Sequence, residues 1–239
     1  LCVIPQEACK KTDMRKLLTH SSRSFLAGGL LALGLLHVRV TAIWAQEVVV
    51  VDFAQAKDGV PSGWELSEHE GKADLALVND SDGQVLRLRS ASASFALGRE
   101  VDVDLKKTPI LEWQWKVTEV PKGGNFFRRA TDDQAGQLIV AFSWRKFITY
   151  IWDSTVPAGT VGDAPSLPLR TVKAVVVQSG EKETGKWVTE TRNVAEDYKR
   201  LFGEDPDKAV GVRIQINSQH TKSNAEVYWK RIRFKAQTQ

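Results

Sequence analysis

Residues 111–117 read Leu-Glu-Trp-Gln-Trp-Lys-Val, apolar at every odd position and polar at every even one. A side-chain period of two marks a strand with one face in a core and the other in water. It puts Trp113 and Trp115 on the inward face with Leu111 and Val117. Residues 210–217 behave alike: Val210, Val212, Ile214 and Ile216 share one face, and Arg213, Gln215 and Asn217 form a polar row on the other. Residues 147–152 are apolar on both faces, which predicts a central strand covered on each side.

Similar runs occur at 48–53, 75–78, 85–88, 138–144, 171–178, 187–191 and 227–234. Residues 94–103 make one bent strand or two strands broken near Gly98. The loop Asn79-Asp80-Ser81-Asp82-Gly83 predicts a hairpin. Roughly ten to twelve short, closely spaced strands predict an all-β fold, a jelly-roll-like antiparallel β-sandwich. One short helix is expected over 194–202. Asn193 is its N-cap, Glu196 completes the capping pattern and Gly203 supplies the stop. Val194, Tyr198, Leu201 and Phe202 form its apolar stripe. A helix this short needs a sheet to pack on.

The N-terminal region is of another kind. Residues 25–36 are uncharged and follow Arg15, Lys16 and Arg23. The run is too short to span a bilayer and fits the apolar core of a secretory signal peptide. Cleavage is expected after Ala45, with Ala42 as the alternative. Residues 1–45 are therefore read as an upstream segment and signal, and 46–239 as a single β-sandwich domain in the periplasm. No stable membrane span is expected after cleavage. Met14, the one methionine, stands directly before Arg15-Lys16 where such a signal begins, and Cys2 and Cys9 both precede it. The mature chain then has no disulfide and no thiolate ligand. Residues 1–45 also hold six of the 33 basic and two of the 29 acidic residues, leaving 27 of each. A neutral domain gives no footprint for nucleic acid, and none is expected as partner.

That balance leaves few chemistries. His69 and His220 are the histidines beyond residue 45, and Gly-x-Ser-x-Gly is absent. A nucleophilic triad has no support. Two distant histidines lack zinc-ligand spacing. Asp132-Asp133 offer two oxygen ligands for calcium but read more simply as caps of a turn. No metal and no cofactor is expected. Glycoside hydrolysis needs two carboxylates about 5–9.5 Å apart, and Glu112, Asp132, Asp133 and Asp153 are the candidates.

Binding suits the sequence better, because polar-ligand pockets combine aromatic faces with a few hydrogen-bonding groups. The candidate ligand-binding residues are Arg128, Asp132, Asp133, Trp152, Asp153, Arg213 and Asn217. Arg128, Asp132 and Asp133 lie in a loop with Gly123, Gly124 and Gly136. Trp152 and Asp153 end the central strand. Arg213 and Asn217 belong to the polar row of theirs.

The ordered set Val51-Asp52-Phe53, Gly63-Trp64, Trp113-x-Trp115, Asp132-Asp133, Tyr150-x-Trp152, Trp187, Arg192-Asn193-Val194, Asp197-Tyr198, Phe202-Gly203, Gly211-Val212-x-Ile214 and Tyr228…Ile232-x-Phe234 resembles a family of exported bacterial proteins. That family is catalogued as domain of unknown function 3047. The resemblance spans nearly all of 48–235 and implies a β-sandwich with no established activity. The chain departs from the family pattern at Asn217-Ser218-Gln219-His220, at Lys230-Arg231 and at Gln137. The expected function is an exported, non-catalytic binding or accessory module for a glycan or other polar ligand. The alternatives are a carboxylate-based glycan-active enzyme and a structural partner in an envelope complex.

Overall fold

A computed structural model describes residues 46–55, 60–81, 83–165 and 168–237. The expected export signal, Met14 and both cysteines lie outside the described residues. Among the described residues, no helix is long and apolar enough to cross a membrane.

The strands in chain order are β1 (Glu47–Asp52), β2 (Glu65–Glu70), β3 (Asp74–Asp80), β4 (Gly83–Ala91), β5 (Ser94–Asp104), β6 (Ile110–Glu119), β7 (Gly136–Ala141), β8 (Lys146–Asp153), β9 (Val161–Asp163), β10 (Thr171–Ser179), β11 (Val188–Asn193), β12 (Lys208–Asn217) and β13 (Asn224–Lys235). One helix, α1 (Val194–Phe202), lies between β11 and β12. The strands form a two-sheet, jelly-roll-like sandwich. One sheet runs β11-β6-β13-β4-β3, with β1 also on β13; the other runs β2-β5-β12-β7-β8-β10-β9. Every described pairing is antiparallel except β8 with β10, so the expected antiparallel sandwich carries one parallel pair.

The alternation read in the sequence sets the core. Trp113 and Trp115 on β6, Tyr150 and Trp152 on β8, and Trp229 on β13 are fully buried between the sheets. The Trp115 ring lies 5.7 Å from Trp152 and 5.3 Å from Trp229, and Trp113 lies 5.3 Å from Tyr150. Each large aromatic buries on the order of 150–250 Å², so these rings dominate the burial that holds the sheets together. The central strand β8 is covered twice. Ile148, Tyr150 and Trp152 face the other sheet, while Ile151 faces outward under a second apolar cluster of Phe126, Val156, Ala174 and Val176.

Helix α1 forms as its caps require. Asn193 accepts the amide of Glu196 at 3.2 Å, and Gly203 adopts the left-handed conformation at φ 77. Val194 and Tyr198 are buried. The buried Tyr150 hydroxyl donates to Asp197 at 2.9 Å, and Arg192 and Arg200 also hold that carboxylate. Burial pushes the Asp197 pKa up, but the two guanidiniums win and hold it below the usual carboxylate value.

Two strands escaped the sequence reading. Glu-Leu-Ser-Glu-His-Glu of β2 is exposed throughout, because β2 is a sheet edge and needs no apolar face. Strand β9 has three residues and carries no period. Strand β5 runs unbroken through Gly98.

Candidate functional site

The two outer sheet faces differ in how they treat charge. On the six-stranded sheet the polar phase of β6 is cross-linked to its neighbours. Arg233 and Lys235 hold Glu112, and Lys116 holds Asp80 at 3.3 Å. Gln114 donates to Thr189 at 3.1 Å and Thr118 to Glu226 at 2.6 Å. That face pairs its charges, although the Nε atoms of Arg87 and Arg231 have no hydrogen-bond partner.

The seven-stranded sheet differs at Arg213. Register places Arg213 between Gly98 and Ile139, and Ile139 opposite Thr149. The next row is Ala96, Gln215, Gln137 and Ile151. Directly paired residues share a face, so these rows point outward with the polar phase of β12. Beside Arg213 opens a cleft of about 380 Å³, lined by Gly63, Glu65, Ser67, Gly98, Glu100 and Arg213 among others.

Arg213 Nη2 donates to His69 Nε2. A guanidinium cannot accept, so His69 Nε2 is the acceptor and the ring proton sits on Nδ1. Burial, then the Arg213 charge, holds the His69 pKa below its ordinary value, so the ring is neutral and compensates no charge. Among the described residues no carboxylate pairs with Arg213. Its Nε and the hydroxyl of Thr149 are shielded from solvent and have no hydrogen-bond partner. Burial, with the nearby Arg170 charge second, holds the Arg213 pKa below the usual guanidinium value. Arg170 lies 5.7 Å from the Phe147 ring centroid. Phe147 belongs to the outward row next to that of Arg213, opposite Ala141, which pairs with Gly211.

The sequence candidates do not form one cluster. Asp132, Asp133 and Asn217 meet directly. Asn217 accepts from the Gln134 amide at 3.0 Å and from Gln137 Nε2 at 2.8 Å, and donates to the Asp132 carbonyl at 2.6 Å. Asp133 is fully buried and takes the amide and hydroxyl of Thr221, with the His220 amide on its other oxygen. Asp153, also fully buried, accepts the amides of Phe126, Thr155 and Val156. These groups are spent on joining loops, which corrects the reading of Asp133, Asp153 and Asn217 as ligand-facing residues. Trp152 is corrected too. It is in phase with Tyr150, so its ring lies in the core and its indole N–H donates to the Gly180 carbonyl at 2.9 Å. Arg128, Asp132 and Arg213 retain exposed or half-exposed side chains. Arg213 shares the sheet face with Asn217, four residues along β12 and so about 13 Å away.

Asp132 is the carboxylate most altered by its setting. Burial raises its pKa to about 6, against the lowering effect of Gln134 Nε2, which donates to it at 3.0 Å. Asp133 and Asp153 raise it further, while His220 opposes them.

Sequence reading missed His69, Thr149, Arg170, Glu65, Glu100 and Trp144. Thr149 carried a signal: it is the sole aliphatic hydroxyl in the apolar run Phe147-Ile148-Thr149-Tyr150-Ile151-Trp152, yet nothing in the sequence placed it two strands from Arg213. Trp144 carried another, as an aromatic between Ser143 and Arg145 in a turn. It is 59% exposed, with Arg145 4.3 Å from its ring centroid. The far wall of the face comes from the loop before β7, where Phe127 packs so closely on Gly162 that a methyl group there would overlap its ring. A larger hollow of about 780 Å³ lies among the turns at 118–123, 154–155 and 180–184. Its charged residues, Glu119, Lys122 and Glu181, are all exposed, so it offers no preorganised group.

Fold and face together define a two-sheet β-sandwich whose outer surfaces differ: one pairs its charges across strands, and the other sets Arg213 against a neutral histidine. The chain belongs to the family described as Protein of unknown function (DUF3047), whose model matches residues 62–233. No curated protein matches it. Among solved structures it is similar to the xyloglucanase domain of NopAA from Sinorhizobium fredii, at 10% identity and TM-score 0.45, covering 78% of this chain and 100% of that one. It is also similar to a family 11 carbohydrate-binding module of Clostridium thermocellum, at 11% identity and TM-score 0.45, covering 81% and 96%. A family 30 module of the same organism aligns at 12% identity and TM-score 0.43, covering 81% and 99%.

Proposed function

We propose that the chain is a periplasmic, non-catalytic binding module that takes a glycan on the outer face of its seven-stranded sheet. The observation that carries this reading is Arg213: a half-buried cation on an outer sheet face, bonded to a neutral histidine and, among the described residues, to no carboxylate. Leaving a cation so is costly unless a ligand completes its shell. The same cleft offers acceptors for hydroxyl groups in Glu65 and Glu100, and Trp144 offers an aromatic face to a sugar ring.

Affinity electrophoresis against a panel of soluble polysaccharides tests the reading. Retardation by at least one polymer is expected, and Gln215→Trp, which fills the middle of the face, abolishes it without moving the melting temperature. Absence of retardation by any polymer, or full binding by Gln215→Trp, overturns the reading. Periplasmic residence predicts release by osmotic shock with an N-terminus at Ile43 or Gln46; recovery with the cytoplasm overturns it.

The second reading is a carboxylate-based glycan-active enzyme. The raised pKa of Asp132 favours it, since a carboxyl protonated near neutrality is what a general acid needs. Its neighbours Asp133 and Asp153 are committed to backbone amides, so a partner carboxylate must come from elsewhere on the face. Reducing-sugar release that is lost in Asp132→Asn replaces the module reading with this one.

A further inference from the structure

We infer, resting on the module reading above, that the cleft beside Arg213 recognises an acidic sugar carrying an isolated carboxylate, a uronic acid flanked by neutral sugars. Two features point the same way. The floor is cationic toward β8 and β10. Arg213 has no carboxylate partner among the described residues, its Nε is shielded from water without an acceptor, and Arg170 lies over Phe147 in the neighbouring outward row. Arg170 is near enough that its charge, after burial, disfavours the charged form of Arg213. A planar guanidinium meets a carboxylate through two parallel N–H···O bonds, and a desolvated one binds it far more strongly than a surface charge does.

The opposite flank adds two carboxylates beside Arg99, whose guanidinium donates to the Val50 carbonyl. Glu65 lies across Gly98 from Arg213, and Glu100 lies opposite Gly211. Both glutamates are exposed and line the same cleft. They accept sugar hydroxyls and repel a second anion. A carboxylate therefore sits over Arg213 with hydroxyl-bearing sugar toward β2, and a polymer charged at every residue is disfavoured.

The probe is glucuronoxylan, compared by calorimetry at fixed ionic strength with the same polymer after reduction of its carboxyl groups to alcohols, and with heparin. Wild type is expected to bind glucuronoxylan at least tenfold more tightly than the reduced polymer, and heparin no better than the reduced one. In Arg213→Gln the ratio between the two xylans falls to about one. Arg213→Lys keeps the charge without the planar fork, retains part of the ratio, and serves if the glutamine variant does not fold. Equal affinity for both xylans overturns the acidic-sugar inference and leaves the module reading standing. Tighter binding of heparin overturns it in favour of general polyanion attraction. Binding of neither xylan overturns the acidic-sugar inference as stated, and the polysaccharide panel then decides the module reading.

Discussion

One oxygen of Asp133 accepts both the backbone amide and the hydroxyl of Thr221, at 2.6 and 2.7 Å. This contact crosses from the loop before β7 to the loop between β12 and β13. It ties together two segments 88 residues apart and leaves that oxygen no room for a ligand.

Asp133→Ala should therefore lower stability rather than affinity. It strands the amides of Thr221 and His220, and hydrogen bonds to a buried carboxylate contribute about 1.5–3 kcal/mol each. A loss of roughly 2–4 kcal/mol by urea denaturation is expected, with glycan affinity per folded molecule unchanged. Wild-type stability with lost binding would show that Asp133 meets the ligand after all.

Trp152→Ala belongs with Trp113→Ala and Trp115→Ala. Each empties a fully buried site in one aromatic cluster, and each should cost about 3–5 kcal/mol. Because Trp115 and Trp152 touch, their double variant should cost less than the two losses added. A Trp152→Ala protein with an unchanged melting temperature would contradict this packing.

Asp132 sets a pH dependence. Its folded pKa of about 6 lies above the ordinary 3.8, so between these values the folded chain holds a proton that the unfolded chain has released. Stability is highest below the lower value and falls as pH rises through this window. The fall is at most about 3 kcal/mol at roughly 1.4 kcal/mol per unit. Asp132→Asn should remove that fall and be the more stable protein at pH 7. Parallel stability curves for the two proteins from pH 4 to pH 7 would contradict this assignment.

Trp144→Ala tests whether the exposed aromatic in the turn between β7 and β8 takes part in binding. The side chain is exposed, so stability should stay within about 0.5 kcal/mol. Glycan affinity should drop roughly three- to tenfold, the equivalent of about 0.5–1.5 kcal/mol for a lost aromatic contact. Unchanged affinity would confine the binding site to the Arg213 cleft.

The class of fold and the inward residues were legible in the order of residues alone. A period of two is a local property of the pleated backbone, so Leu111 to Val117 and Val210 to Ile216 declare their buried side without reference to any other strand. The caps of α1 were legible for the same reason, since Asn193, Glu196 and Gly203 act within one turn of the helix. Phase also indicated that Arg213 faces outward. Which outward residues share a face with Arg213 became visible with the assembled sheets. That depends on strand order and register, which place Thr149 two strands from Arg213 and bring His69 in from the exposed edge strand β2. The tertiary structure also decided against Asp133, Asp153, Asn217 and Trp152. Whether a polar group is free or spent depends on which distant loop or sheet arrives beside it, and contacts across tens of residues leave no period in the chain.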